Sequence, residues 1–143
     1  MEHSFIFVKG LPQDAHDIRQ AVFVQEQGFN GQSEFDSIDP DAFHAVLYLD
    51  GKPAGTGRLF PSDSSPDAFI VGRLAVYPQY RKLHLGSEIL SFLEQKAKES
   101  GASKIALSAQ CQAQGFYEKC GYTASGDTYL DEFCPHIHME KML

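Results

Sequence analysis

A nearly continuous apolar run, AFIVGRLAVYP, leads through a short polar stretch into an amphipathic helical pattern. A run that does not alternate is typical of a strand buried on both faces, so it should lie centrally in a sheet. The break at Gly72 and Arg73 predicts a β-bulge, at which one residue goes unpaired. The following leucines and isoleucine recur every fourth residue, which predicts a helix from Gly86 that stops at Gly101. The sequence therefore predicts a strand, a loop and a helix at the centre of an α/β domain.

The remaining elements are predicted from shorter patterns. SFIFVKG should form the first strand, followed by a helix after Asp14, and the acidic stretch 30–41 should be a loop or one short helix. Two more strands flank Asp50 and Gly51, a strong hairpin signal. SKIALSAQ reads as a strand, AQGFYEKC as a short helix, and HIHMEKM as a final strand. The prediction is one domain over residues 1–143, a mixed α/β sheet with helices on its faces.

Composition excludes several classes of partner. The chain has 143 residues, a size typical of one domain, and a formal charge of −7 with a pI near 5.2. This charge argues against nucleic acid and anionic membrane as partners, both of which require a basic face. No stretch approaches the roughly 20 apolar residues of a membrane span, and the first residues lack a signal-peptide pattern. Three irregularly spaced cysteines suggest reduced thiols, and we expect a cytoplasmic protein.

The polar stretch YPQYRKLHLG predicts an anion site. A helix that begins after a strand presents unpaired N–H groups and the positive end of its dipole, which favour phosphate. Arg81 and Lys82 add positive charge, and Gly86 lets a ligand approach the backbone without a Cβ in the way. A basic pair before a helix is also common in solvated turns, so this stretch alone leaves both interpretations open.

Two longer stretches carry a resemblance to a known family. VGRLAVYPQYRKLHLGSEIL resembles the acyl-CoA-binding motif of the GNAT superfamily of N-acetyltransferases, in which a strand leads to Arg or Gln, two residues, Gly, one residue, and Gly or Ala. In this chain the pattern falls on Arg81, His84 and Gly86. AQCQAQGFYEKCGY resembles the second cofactor segment of the same superfamily. RQAVFVQEQG, SEFDSIDPDAFHAV and GTGRLF are similar to its small ElaA-like bacterial branch, so the likeness covers nearly the whole chain.

The resemblance implies a fold, an activity and a cosubstrate. The fold would be a single-domain GNAT fold, with a mixed, mostly antiparallel sheet, helices on both faces and a splayed central strand pair. The activity would be direct transfer of an acetyl group from acetyl-CoA to a primary amine of a small molecule or peptide, and many similar proteins form homodimers. The cofactor-binding residues implied are Leu74, Ala75, Val76, Arg81, Lys82, Leu83, His84, Leu85, Gly86, Ser87, Phe116 and Tyr117.

The resemblance also implies two catalytic groups. A backbone N–H on the strand RLAV would polarise the thioester carbonyl, with Val76 the first choice as donor, and the bulge would cause the neighbouring strands to splay there. Tyr117 matches the usual acid of the superfamily, whose hydroxyl protonates the departing sulfur. A half-buried tyrosine that only packs by its ring is the alternative.

The general base is less defined by the sequence. An alkyl ammonium has a pKa near 10, so some group must remove a proton before attack. In similar proteins the acceptor site is bordered by the first helix, its following loop and the C-terminal strands. Glu26 and His44 lead the candidates in these segments, and the others are Glu34, Asp36 and His136.

The acidic loop suggests the charge of the acceptor. Glu34, Asp36, Asp39 and Asp41 follow one another closely in sequence. If they lie beside the active cleft, they would attract a cationic amine and repel an anionic substrate. The alternative is a solvated surface segment with no role in binding.

One departure from the motif supports a rival function. His84 stands where the superfamily has the first glycine, so its side chain either crowds the pyrophosphate or points outward and leaves the backbone donors free; we expect the second. A crowded loop and the lack of an obvious base would fit a catalytically silent acyl-CoA-binding sensor.

A metal site is the remaining alternative. Cys134, His136 and His138 are all ligand types, but a zinc site requires three or four convergent ligands and no partner cluster is evident in the sequence. We therefore predict no metal. Cys111 and Cys120 are expected to fill apolar space, because direct transfer needs no acyl-cysteine.

Overall fold

The computed structural model describes all 143 residues and contains one seven-stranded sheet with the strand order β1-β2-β3-β4-β5-β7-β6. The strands are β1 His3–Lys9, β2 Phe43–Leu49, β3 Lys52–Pro61, β4 Ala68–Val76, β5 Lys104–Gln110, β6 Thr123–Asp131 and β7 Cys134–Met142. The helices are α1 Gln13–Arg19, α2 Gly31–Glu34, α3 Leu85–Glu99 and α4 Gln114–Lys119, and a π-helical segment, Gln20–Glu26, continues α1. The predicted α/β sheet is confirmed.

The hairpin and the central strand lie where the sequence predicts them. Asp50 and Gly51 have φ values of 49° and 78°, the left-handed backbone that a tight hairpin turn requires, and they join β2 to β3. β4 is the fourth of seven strands. It is only partly buried, however, because its second half does not pair with β5.

β4 and β5, the only parallel pair in the sheet, separate along their length. The two strands pair over just three positions, from Ala68 with Lys104 to Ile70 with Ala106. Beyond this point β5 continues to pair with β7 on its other side. A wedge therefore opens between the carboxyl halves of β4 and β5, as the splayed strand pair of the prediction requires.

The predicted bulge is present beside this wedge. Between the pairs Thr56 with Ala75 and Arg58 with Gly72, β4 holds one residue more than β3. Arg73 adopts the left-handed conformation with φ 54°. The extra residue redirects the strand and strengthens its twist, which is a physical cause for the separation of β4 from β5.

Helices cover both faces of the sheet. α3 buries Ile89 and Leu93 in the main core. It lies so close to β3 that a Cβ on Gly55 or Gly57 would come within 3 Å of one of these side chains. α1 buries Ile18 in a second core on the opposite face. None of the helices combines the length and the hydropathy that a membrane span requires.

Candidate active site

Two neighbouring spaces, which share three lining residues, lie at the wedge. The first, called here the loop cleft, has a volume of about 680 Å³ and lies between the end of β4, the start of α3 and α4. All the predicted cofactor-binding residues line it except Leu83, which is 44% exposed and points elsewhere. Sequence reasoning missed four further lining residues, which are Tyr80, Ala113, Lys119 and Cys120.

The start of α3 presents unpaired donors to the loop cleft. The N-cap residue, His84, makes no side-chain hydrogen bond to the helix, and the N–H groups of Leu85, Gly86 and Ser87 have no carbonyl acceptor. α3 is 15 residues long, so its dipole adds positive potential at the same place. Three convergent N–H groups at a helix N-terminus form an anion site.

Gly86 has a structural role in addition to the predicted one. A Cβ at this position would lie 3.2 Å from the ring of Phe116, tighter than ordinary packing allows. The ring of Phe116 therefore packs against the backbone of the loop and joins α4 to the start of α3. The close approach that Gly86 permits is to a side chain of the protein as well as to any ligand.

His84 occupies a left-handed backbone conformation, with φ 61° and ψ 26°, and its side chain is exposed. This conformation costs a non-glycine residue about 1 kcal/mol. Glycine adopts this conformation without that cost, which is a further reason for the glycine of the family motif at this position.

We expect His84→Gly to raise the free energy of unfolding by about 1 kcal/mol, because the strain is removed. It should change the dissociation constant of CoA by less than about threefold, which corresponds to a fraction of a kcal/mol. Urea unfolding and calorimetric titration with CoA measure the two effects. His84→Asn, a residue tolerant of this backbone, keeps a side chain and serves as the control. Much tighter CoA binding by the glycine variant alone would show that the imidazole crowds the loop.

Arg81 and Glu26 form an exposed ion pair at the edge of the loop cleft. Both Nη atoms of Arg81 donate to the Glu26 carboxylate at 2.7 Å, and its Nε donates to the Val76 carbonyl oxygen at 3.2 Å. The hydrogen bonds from Arg81 hold the pKa of Glu26 below its usual range, which makes this carboxylate a poor base. Glu26 also lines neither space of the wedge. The structure thus argues against Glu26 as the base and places it as the partner of Arg81.

The N–H of Val76 faces the wedge. Tyr77 donates its N–H to the Ala54 carbonyl of β3 at 2.9 Å. Because successive N–H groups of a strand point to opposite sides, the Val76 N–H points away from β3. On that side β5 has already separated, so this donor has no partner strand. It is available to a carbonyl oxygen or to an amide of a ligand that lies along β4.

Tyr117 lies where the two spaces of the wedge meet. It lines both of them, together with Leu74 and Ala113. The tyrosine hydroxyls that make hydrogen bonds belong to Tyr48, Tyr122 and Tyr129. The Tyr117 hydroxyl is therefore free to bond to a ligand. Burial raises the pKa of Tyr117 to about 12, so its proton is retained at neutral pH.

The second space, called here the inner cavity, has a volume of about 270 Å³. It lies between the bulge of β4, the end of β5, the π-helical segment and the turn from β6 to β7. Its polar and charged lining residues are Gln27, Ser33, Glu34, Arg73, Ser108, Gln110, Tyr117, Asp131, Glu132 and His136. Of the five candidates for the base, only Glu34 and His136 reach it. Sequence reasoning missed most of the other polar residues of the cavity, because only the fold brings them together.

His44 lies outside both spaces and is not positioned to act as a base. It is 1% exposed, and its Nε2 bonds to the Asp39 carbonyl oxygen at 3.0 Å. Burial lowers the pKa of His44, so the ring is favoured in its neutral form. Its role is to hold the loop that carries Asp39.

The acidic loop is neither a solvated segment nor a free set of carboxylates. Arg19 donates to Glu34 at 3.0 Å and to both carboxylate oxygens of Asp39 at 2.8 and 3.0 Å. Arg58 donates to Asp36 at 2.7 Å and to Asp39 at 2.8 Å. Three arginines in total, including the bulge residue Arg73, meet these three carboxylates.

Both interpretations of the acidic loop are therefore corrected. Glu34 and Asp39 are buried, and Asp41, which is exposed, is the only one of the four carboxylates that lacks an ion pair. The arginine charges balance those of Glu34, Asp36 and Asp39, which removes the loop as a source of attraction for a cationic acceptor. These six side chains are called the ion cluster below. They anchor the loop to the bulge of β4.

The two C-terminal histidines, His136 and His138, bond to different partners and do not converge on one point. Nε2 of His138 bonds to Glu140 at 2.7 Å, whereas His136 bonds through Nδ1 to the Cys134 carbonyl oxygen. No group of three histidine, cysteine, aspartate or glutamate side chains converges as metal ligands would. All three cysteines are free thiols.

A strand wedge, a bulged central strand and a helix start with unpaired N–H donors are together typical of the fold of acyltransferases that use acyl-CoA. The sequence profile of the Acetyltransferase (GNAT) family matches residues 12–122, and the chain belongs to this family. It therefore uses acetyl-CoA as its cosubstrate. The acyltransferase class predicted from the two motifs is confirmed.

Individual relatives agree with this assignment. The chain is 36% identical over 130 residues to the uncharacterised N-acetyltransferase YjcF of Bacillus subtilis (strain 168), covering 90% of this chain and 91% of YjcF. The crystal structure of Escherichia coli ElaA superposes with a TM-score of 0.85 at 23% identity, covering 98% and 99% of the two chains.

A second similar structure contains acetyl coenzyme A. It is described as a "putative streptothricin acetyltransferase" from Bacillus anthracis str. Ames in complex with acetyl coenzyme A. The TM-score is 0.63 at 22% identity, and the match covers 73% of this chain and 64% of that one.

Proposed function

We propose that this chain transfers the acetyl group of acetyl-CoA directly to a primary amine held in the inner cavity. The observation that carries the proposal is the position of Tyr117, which lines both the loop cleft and the inner cavity and whose hydroxyl makes no hydrogen bond within the chain. A thioester that enters from the cleft and an amine that enters from the cavity would meet beside a group able to protonate sulfur. Direct transfer requires this convergence and no covalent enzyme intermediate.

The loop cleft would hold the cofactor. The free N–H groups at residues 85–87 and the ammonium groups of Lys82 and Lys119 suit a pyrophosphate. Arg81 would join them, since an exposed ion pair such as that with Glu26 is worth less than about 1 kcal/mol and gives way to a phosphate. The bound acetyl-CoA of the Bacillus anthracis structure supports a site in this fold.

Two groups would act on the thioester. The Val76 N–H would donate to the carbonyl oxygen and stabilise the negative charge that develops as the amine attacks. Tyr117 would give its proton to the departing sulfur, and its high pKa keeps that proton in place until charge develops. Leu74 and Ala75 would lie along the pantetheine arm, where unpaired backbone groups of β4 face the wedge.

The acceptor would be a small or side-chain-sized cationic amine. Asp131 and Glu132 lie at the turn between β6 and β7, both are exposed, and both border the inner cavity. Neither has an arginine or lysine partner, unlike the carboxylates of the ion cluster. They give the mouth of the cavity a negative potential that favours an ammonium group.

The test is thiol release from acetyl-CoA with a panel of a polyamine, an aminoglycoside and a lysine-containing peptide. We expect turnover with at least one of them and a rate that falls with added salt, because salt screens the attraction by Asp131 and Glu132. Asp63→Asn, in an exposed loop outside both spaces, is a charge-matched control for Asp131→Asn. Tight CoA binding without turnover of any amine would favour the silent sensor instead.

A further inference from the structure

His136 is a buried histidine in the wall of the inner cavity that neither the family motifs nor the fold explains. It lies on β7, is 6% exposed, and is paired with Gln110 of β5 and Tyr129 of β6. The Tyr129 ring stacks against its imidazole at 6.2 Å between centroids. Tyr129 therefore covers one face of the ring, and the strands on both sides of β7 fix the backbone that carries it.

Its hydrogen bond determines which nitrogen is free. Nδ1 lies 2.9 Å from the carbonyl oxygen of Cys134. A carbonyl can only accept, so Nδ1 carries the proton and Nε2 of the neutral ring carries a lone pair. Nε2 has no hydrogen-bond partner within the chain. The only side-chain polar atom that is both fully buried and without a partner is Arg58 Nε, so His136 Nε2 keeps some accessible surface. Nε2 is thus an unpaired acceptor that is accessible from the cavity.

The other charged and titratable groups around the cavity are already committed or less suited to this task. They come from α2, β4, α4, β6 and the turn after β6, and they are Glu34, Arg73, Tyr117, Asp131 and Glu132. Glu34 is paired with two arginines, and the Glu132 carboxylate accepts the Asn30 N–H at 3.1 Å. Asp131 is a carboxylate, ordinarily a weaker base than imidazole.

We propose that His136 is the general base that deprotonates the acceptor amine. The assignment rests on the proposed function, because the amine is the one held in the inner cavity. Nε2 takes one proton from the ammonium group, and the amine lone pair then forms the C–N bond while the C–S bond breaks. Sulfur keeps the electron pair and takes the Tyr117 proton. The attacking nitrogen then gives a second proton to Tyr117 and so restores its hydroxyl. His136 releases to solvent the proton that Nε2 took from the ammonium group. The products are an amide, CoA thiol and one proton.

The test compares His136→Asn with His138→Asn across pH. The asparagine side-chain amide can keep the hydrogen bond to Cys134 but has no group at the Nε2 position, whereas His138 lies outside both spaces. We expect kcat/KM of His136→Asn to fall about 100-fold at pH 7, the contribution typical of a general base. The deficit should shrink toward pH 10, where the amine loses its proton unaided. His138→Asn should match the wild type, and CoA affinity should be unchanged in both variants.

The outcomes separate this assignment from the function on which it rests. A deficit that is the same at every pH, or wild-type activity in His136→Asn, overturns the role of His136 while leaving the transferase intact. Failure of the wild type to acetylate any amine of the panel overturns both. A second readout uses the wild-type protein and needs no acceptor. Nitrogen NMR of the neutral histidine ring should show the proton on Nδ1. A neutral ring with its proton on Nε2 would exclude His136 as the base, and this result does not depend on the folding of the variant.

Discussion

Tyr117→Phe should lower kcat about 100-fold while leaving the dissociation constant of acetyl-CoA unchanged. The substitution removes only the hydroxyl, and the ring still packs edge-on against Phe116 and Tyr122. The departing sulfur then has to leave as a thiolate in a partly buried site, where an unbalanced negative charge is costly. Steady-state kinetics with a reactive amine and calorimetric titration with CoA give the two quantities.

Tyr122→Phe is the matched control for this experiment. Tyr122 lies near Tyr117 but borders neither space of the wedge, and its hydroxyl donates to Glu94 at 2.7 Å. Glu94 keeps a second partner in Lys141, so the loss should appear in stability and not in kcat. Equal kcat values for the two variants and the wild type would remove Tyr117 from the mechanism and leave it the packing role considered above.

Features encoded by neighbouring residues were predictable from the sequence. The hairpin at Asp50 and Gly51 and the helix before Gly101 depend on backbone conformations that particular residues favour locally. The bulge at Arg73 is visible as a glycine break in an apolar run. The loop cleft was also predictable, because most of its residues belong to two continuous segments with family motifs.

The inner cavity and the ion cluster could not be predicted in this way. The cavity combines residues from Phe23 to His136, and nothing in the local pattern of any one segment specifies the contact. The acidic loop was misread for the same reason, since its arginine partners lie at positions 19, 58 and 73 on three different elements. In the sequence, arginines at these positions resemble ordinary surface residues, and only the fold pairs them with the carboxylates of the loop.

Arg19→Met should cost about 3–5 kcal/mol of unfolding free energy, the loss typical of breaking a buried ion pair on one side. Arg19 is 1% exposed and donates four hydrogen bonds, three to the carboxylates of Glu34 and Asp39 and one to the backbone carbonyl oxygen of Glu34. Burial alone raises the pKa of Asp39, but the hydrogen bonds from Arg19 and Arg58 lower it to about 2. Without Arg19, two buried carboxylates share fewer cations, and methionine cannot satisfy them.

Arg81→Met provides the comparison, because it removes an arginine that also makes two 2.7 Å bonds to one carboxylate, but at the surface. That pair is 40% and 39% exposed, so water replaces the lost partner and the cost should stay below about 1 kcal/mol. Urea midpoints of the two variants at pH 7 measure the difference. If Arg19→Met were no more destabilising than Arg81→Met, the ion cluster would not hold the loop to β4. The bulge beside Val76 would then have to be maintained by the strand pairing with β3 alone.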